Sequence, residues 1–246
     1  MTSEKITAQT WLSERPLKAD ERLYLVISAA SDAEPLKPFY QQDNAAQLLP
    51  IWGGTPYADW QPVMPYLAEI KPQAGFLQWV AETDAQDWGW LAVSRSEPNE
   101  VFEHLRSLTQ VKMPDGTEVF FRFWDGRHIY PILEGLGATA GEILPVFERY
   151  LINGQTLEVG PRVVPKAKDW PWWEIPQKLL DELAKKDHTT VVDNLLQWLE
   201  EDCPELYFEF PEANLRRKVE RFVRQNANTE DMAERLAAQL TKEVTS

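Results

Sequence analysis

The fold class of this 246-residue chain is decided by residues 23–27, which read LYLVI. Five consecutive β-prone apolar residues are typical of a strand that is covered on both faces. Further strands are predicted at 48–52, 66–70 and 88–93. The segment 76–80 has the density of apolar residues expected of a short helix packed on a sheet.

The clearest turn signal in the chain lies downstream of these strands. Asp115-Gly116 separates two β-prone runs, 111–113 and 118–124, and Asp-Gly readily supplies positive φ at a tight turn. Before the hairpin, Ser96 is a plausible N-cap for a helix with apolar residues on one face. Residues 23–124 are therefore predicted to form an α/β or α+β domain with five or six strands.

After Asp125 the apolar spacing is mostly helical. Ile143, Leu144, Phe147 and Leu151 form one stripe, and several amphipathic helices follow the irregular residues 152–169. The predicted fold class is α+β (mixed α/β): an N-terminal lobe with a small mixed β-sheet and packed helices, then a helical C-terminal lobe. The predicted segments are a leader at 1–22, an α/β domain at 23–151, a linker at 152–169 and a helical lobe at 170–246.

Composition excludes two classes of partner. The net charge is −14, so a nucleic-acid backbone or an anionic membrane would be repelled. No stretch approaches the ~20 apolar residues needed to cross a bilayer. We expect no nucleic-acid binding and no membrane insertion.

The compartment is predicted from two further features. Cys203 is the only cysteine, so the chain cannot form an internal disulfide. Residues 1–22 are polar and have no apolar core of a signal peptide. A cytoplasmic location is expected.

No constellation of residues in the sequence predicts catalysis. His104, His128 and His188 are scattered, without partners at metal-ligand spacing. Cys203 follows three acidic residues, an environment unsuited to a nucleophile. Residues 135–140 imitate a dinucleotide-binding loop, but a predicted helix precedes them where the motif requires a strand. We expect no enzymatic activity, no cofactor and no metal.

A family resemblance is carried by residues 113–133, which read MPDGTEVFFRFWDGRHIYPIL. This stretch resembles the LPDG…FRFYDPR motif of the adaptor/chaperone domain of bacterial type VI secretion, although Trp124 replaces the usual Tyr and Gly126 the usual Pro. Neither change threatens the fold. Four upstream segments resemble family elements in the same order: 24–30, 65–70, 88–95 and 101–106. The resemblance spans roughly residues 22–151, and the tail resembles a helical extension often appended to this domain.

The resemblance implies a function. Members of this family hold a toxic effector in the cytoplasm and promote its loading onto the spike protein of the secretion tube. The implied partners are a cognate secreted effector and that spike protein. Two alternatives stay open at this stage: an immunity-type protein that binds a toxin to neutralise it, and an enzyme of unlocated activity.

Aromatic residues beside predicted loops are the candidate contact residues, because such side chains often dominate interface energies. They are Phe39, Tyr40, Trp52, Trp170, Trp172 and Trp173. The alternative for the last three is that they pack the tail onto the first domain. A separate structural motif is predicted in which Asp125 caps a helix and pairs with Arg122 and Arg127.

Overall fold

The computed structural model describes residues 5–43, 46–160, 164–186, 189–226 and 231–244. The chain divides into two compact units, Met1–Leu179 and Leu180–Ser246. The first unit includes residues 170–179, which the sequence analysis assigned to the helical C-terminal lobe.

Six strands form one sheet in the first unit. Their spatial order is β2 (Leu49–Pro50), β3 (Pro65–Ile70), β1 (Arg22–Ser28), β4 (Gly89–Ser94), β7 (Arg149–Ile152) and β8 (Gln155–Glu158). Each neighbouring pair is antiparallel. The sheet is therefore antiparallel, whereas a mixed sheet was predicted from the sequence. The central strand β1 is buried from Leu23 to Ser28, which confirms the two-sided coverage predicted for residues 23–27.

Helices cover one face of this sheet. They are α1 (Ala8–Glu14), α2 (Leu36–Gln42) and α3 (Phe76–Glu82). Leu25 of β1 shares a buried core with Trp11 of α1, Phe39 of α2 and Phe76 of α3. The segment predicted to be a leader therefore contributes a core helix, because Trp11 is buried against the sheet.

The opposite face of the sheet is aromatic. Tyr24 and Trp90 both meet the Phe147 ring, with centroids 6.1 and 5.4 Å from it. The Trp90 indole N–H donates to the Phe123 carbonyl at 2.7 Å. Further helices in this unit are α4 (Pro98–Ser107), α5 (Gly126–Leu136) and the single turn α6 (Ala140–Ile143).

The predicted hairpin is present as a separate two-stranded sheet of β5 (Gln110–Lys112) and β6 (Glu118–Phe120). Gly116 has φ +84°, and the Asp115 carboxylate accepts from the Thr117 N–H at 2.9 Å. Residues 173–175 run beside β5, since the backbone N–H of Lys112 donates to the Trp173 carbonyl at 2.8 Å. This contact accounts for residues 170–179 belonging to the first unit.

Two local predictions were wrong. The N-cap of α4 is Glu97 rather than Ser96, and the Glu97 N–H donates to the Glu100 carboxylate at 3.2 Å. The apolar stripe ending at Leu151 is not one helix, because α6 stops at Ile143 and the chain then enters β7. All four residues of β7 are buried, and burial on both faces removes the alternation that marks a strand.

The second unit is helical, as predicted. Helix α7 (Gln177–Lys186) crosses the boundary between the units; α8 (Thr189–Asp202), α9 (Pro204–Glu209), α10 (Glu212–Asn226) and α11 (Met232–Val244) follow. The buried core of this unit includes Leu199 of α8, Leu215 of α10 and Leu236 of α11. Among the described helices of the whole chain, none has the length and apolar character needed to cross a membrane.

Candidate protein-binding surface

Helix α2 places the two aromatic residues predicted there in opposite environments. Phe39 is fully buried and meets Phe76 edge to face, with ring centroids 5.5 Å apart. Tyr40 is 56% exposed. Of this pair, only Tyr40 presents a large surface to solvent.

Trp52 is buried at the centre of an aromatic cluster and is only 1% exposed. Four other rings surround it, with centroids 5.2 to 6.3 Å from its own. The aromatic cluster comprises Trp52, Tyr57, Trp60, Phe120 and Trp124. These residues come from the segment after β2, from β6 and from the entry to α5, so the fold gathers rings that are far apart in sequence.

The segment that carries three of these rings is a series of tight turns. The Thr55 N–H donates to the Trp52 carbonyl at 3.0 Å, and the Trp60 N–H donates to the Tyr57 carbonyl at the same distance. Arg106 of α4 holds the start of the segment, donating to the Ile51 carbonyl at 3.0 Å. Backbone and side-chain hydrogen bonds therefore fix the positions of the rings.

One side of the aromatic cluster reaches solvent. Trp60 is 46% exposed and Val63 is 39% exposed, while Tyr57 and Phe120 are half-buried beside them. These four residues are called the Trp60 surface below. The Trp60 surface was not predicted from the sequence. Trp60 and Val63 stand in a Pro- and turn-rich stretch that lacks the periodicity of a core element, and this lack of periodicity was the available signal of exposure.

The floor of the aromatic cluster contains two polar groups without partners. Within the described part of the chain, neither the Trp52 nor the Trp124 indole N–H reaches an acceptor. A buried donor left unpaired costs about 1–3 kcal/mol. The cluster therefore carries a cost that its apolar contacts must offset.

The three tryptophans after the predicted linker lie in the first unit. The Trp172 indole N–H donates to the Ser107 hydroxyl at 3.0 Å, and its ring centroid is 6.0 Å from that of His104. Trp173 packs on Phe121, with centroids 5.5 Å apart. These contacts match the packing alternative for Trp172 and Trp173.

Trp170 lines an open groove of about 630 Å³ between α4 and residues 164–169. The groove walls carry charges of both signs. The acidic side chains are Glu100, Glu103 and Asp169, and the basic ones are Arg106, Lys166 and Lys168. Because the charges are mixed, the groove does not favour one class of charged ligand.

Asp125 forms the corner at the start of α5. It is buried, and one carboxylate oxygen accepts from the Arg127 backbone N–H at 3.0 Å, which caps the helix. The other oxygen accepts from the Arg122 and Arg127 guanidinium groups at 3.0 and 2.8 Å. The hydrogen bond that the Arg127 guanidinium donates to Asp125 raises the pKa of Arg127. The arrangement joins strand end to helix start and leaves no nucleophile at the corner.

The two described histidines differ in exposure, because His104 is buried and His128 is exposed. His104 is buried, its Nε2 lies 2.7 Å from the Ile143 carbonyl, and burial lowers its pKa. His128 Nε2 lies 3.7 Å from the Asp125 carboxylate, and partial burial lowers the pKa of this imidazole although the carboxylate acts to raise it. His188 lies outside the described residues. No group of three His, Cys, Asp or Glu side chains in the described ranges is arranged to hold a metal ion.

Residues 23–140 match the model of a family described as a domain of unknown function, DUF4123. The accessory protein VasW of Vibrio cholerae serotype O1 is 25% identical over 135 residues, which is 54% of this chain and 45% of that protein. The chain thus spans about half the length of this relative. No solved structure matches the chain significantly.

The residues that match the DUF4123 model contain β1, β3, β4, the hairpin and the Asp125 corner of the α+β fold. The family match and the similarity to the accessory protein VasW support the resemblance to the adaptor family of type VI secretion. The resemblance predicted from residues 113–133 is therefore confirmed.

Proposed function

We propose that this chain is a cytoplasmic adaptor that binds a cognate type VI secretion effector and promotes its loading onto the spike protein. The observation that carries the proposal is the Trp60 surface, an exposed aromatic patch on a domain of the adaptor family. Exposed aromatic side chains on a fixed backbone are the usual anchors of protein–protein interfaces. No role for a cofactor or metal is proposed.

The chemistry of the described side chains supports binding rather than catalysis. Burial raises the pKa of the Tyr150 phenol inside the core. The buried His104 is engaged by a backbone carbonyl and Asp125 by two arginines. These are the roles of groups that hold a scaffold together.

The proposal for domain roles follows the two units. The α/β part, predicted at 23–151, carries the Trp60 surface and is the partner-binding module. The helical lobe is a separate unit, and its most exposed aromatic residue is Phe208, at 74%. Truncation after the first unit tests this division, because partner binding should survive it.

The experiment that tests the function has two stages. Affinity-tagged full-length chain is purified from its native cytoplasm, and bound proteins are identified by mass spectrometry. Each candidate is then purified and mixed with the chain alone. The proposal predicts direct binding to a secreted protein and to a spike component; binding to neither would refute it.

Gene deletion separates the adaptor from the immunity alternative. Loss of an adaptor blocks release of one effector into the medium. Loss of an immunity protein instead leaves sister cells open to killing. A chain whose deletion causes sister killing with unchanged secretion is an immunity protein.

A further inference from the structure

We infer that the Trp60 surface binds a segment of the secreted partner that combines apolar side chains with lysine or arginine. This inference rests on the proposed function and specifies the chemistry of the partner. It follows from three properties of the surface: exposed apolar area, fixed geometry, and the sign of the surrounding charge.

The apolar area is held in place before any partner arrives. The exposed Trp60 ring lies 5.2 Å from Tyr57 and 5.3 Å from Phe120, centroid to centroid, and 6.3 Å from the buried Trp52. Trp60 and Val63 stand in one turn, since the Val63 N–H donates to the Trp60 carbonyl at 3.1 Å. A side chain already ordered loses little entropy on binding, which makes Trp60 a good anchor.

The charge around this surface is acidic. No lysine or arginine occurs from residue 38 to residue 70, the stretch that supplies Tyr57, Asp59, Trp60 and Val63. Asp59 is exposed and adjoins Trp60 in sequence. The whole chain carries −14. A partner segment with basic residues beside its apolar ones is therefore favoured, and an acidic one is repelled.

Cations on neighbouring elements have other partners. Arg106 donates to the Ile51 and Gly53 carbonyls, and Arg122 pairs with Asp125. On the hairpin, Lys112 lies directly opposite Glu118 in the strand register, so the two charges offset each other. The ion pairs of Arg106 and Arg122 are with Glu103 and Asp125, so neither is paired with Asp59.

The test begins with the secreted protein that co-purifies with the full-length chain. Short synthetic peptides that tile its sequence are labelled, and their affinity for the full-length chain is measured by fluorescence polarisation. The tightest peptide should contain aromatic or aliphatic residues together with lysine or arginine. Its affinity should fall as salt is raised, because exposed charges are screened.

Variants locate the contact. Trp60→Ala should weaken binding of that peptide about thirtyfold or more, as expected for removal of a central aromatic anchor. Val63→Arg and Asp59→Lys add positive charge and should also weaken it, and they keep the test valid if Trp60→Ala folds poorly. Phe208→Ala removes an exposed ring on the helical lobe and should change the affinity less than about threefold.

The outcomes distinguish this inference from the proposed function. If the secreted protein binds but Trp60→Ala, Val63→Arg and Asp59→Lys bind it like the wild type, the inference is overturned and the adaptor function stands. The same holds if the tightest peptide is acidic, or if Trp60→Ala changes only self-association in sedimentation experiments. If no secreted protein binds, both ideas fail.

Discussion

The indole rings of Trp52 and Trp124 meet edge to face, with centroids 5.2 Å apart and an angle of 85° between their planes. Both rings are buried, and neither N–H has an acceptor in the described part of the chain. Trp90 is equally buried, yet its N–H donates to the Phe123 carbonyl at 2.7 Å. The same side chain is thus satisfied at one site and unsatisfied at the other.

This contrast predicts unequal costs for one substitution at two positions. Trp90→Phe and Trp124→Phe remove similar volumes, but the first also breaks a buried hydrogen bond and the second removes an unpaired donor. We expect Trp90→Phe to destabilise the protein by about 1–2 kcal/mol more than Trp124→Phe. Urea unfolding measures both free energies. Equal costs, or a larger one at Trp124, would show that the Trp124 N–H has an acceptor.

Gly89 is predicted to be irreplaceable in the sheet. Its φ is +141°, and a Cβ there would lie 2.0 Å from the Val26 carbonyl oxygen of β1. Gly89→Ala should therefore cost more than about 3 kcal/mol, since the central strand pair must separate. Gly116→Ala is the matched control: φ is also positive, but nothing lies within 4 Å. It should cost about 1 kcal/mol, and thermal melting of the two variants side by side decides the matter.

The Asp125 corner is predicted to contribute through both its cap and its charge. Asp125→Ala loses the cap and leaves Arg122 and Arg127 without their carboxylate, so we expect a loss of about 2 kcal/mol. Asp125→Asn keeps a capping oxygen and should cost about half as much. Chemical denaturation compares the pair. Identical losses would mean that the charge contributes nothing, and no loss in either would contradict the corner as a structural motif.

Acid is predicted to destabilise the fold through its buried histidine. Burial lowers the pKa of His104 in the folded state. An unfolded histidine has a pKa of about 6.5, so below that pH the unfolded chain binds a proton that the folded chain does not. Stability is fully present above pH ~6.5 and falls as the pH drops, by up to about 1.4 kcal/mol per pH unit for this group.

Unfolding measured between neutral and mildly acidic pH checks this dependence in a His128→Gln background, because burial lowers the pKa of His128 too. Replacing His104 by Gln in the same background should flatten the slope by one proton. A slope that persists unchanged would assign the acid sensitivity to other groups.

The elements that were predicted correctly carry a strong signal within a few consecutive residues. The apolar run at 23–27 is the central strand, and the Asp115-Gly116 turn joins two strands. The strands β7 and β8 were missed because β7 is buried on both faces and its spacing also fits a helix. Asn153-Gly154 between them was the available signal, since both residues have positive φ in a two-residue turn.

The candidate surface was harder to predict than the fold. Aromatic type alone does not tell a core ring from an exposed one: Phe39 and Trp52 are buried, whereas Tyr40 is exposed. Trp60 was missed because its position depends on the Trp52 and Phe120 rings that pack against it, and Phe120 comes from the distant strand β6. Which rings pack together is a property of the tertiary structure, and a single sequence does not show it.

The measurement that bears most directly on the adaptor function is the amount of the co-purifying protein released into the culture medium. Release is compared in a strain that lacks this chain and in the same strain supplied with wild-type or Trp60→Ala protein at equal cellular levels. We predict that release is lost on deletion, restored by the wild-type chain and not restored by Trp60→Ala. Undiminished release from the deletion strain would contradict the proposed function.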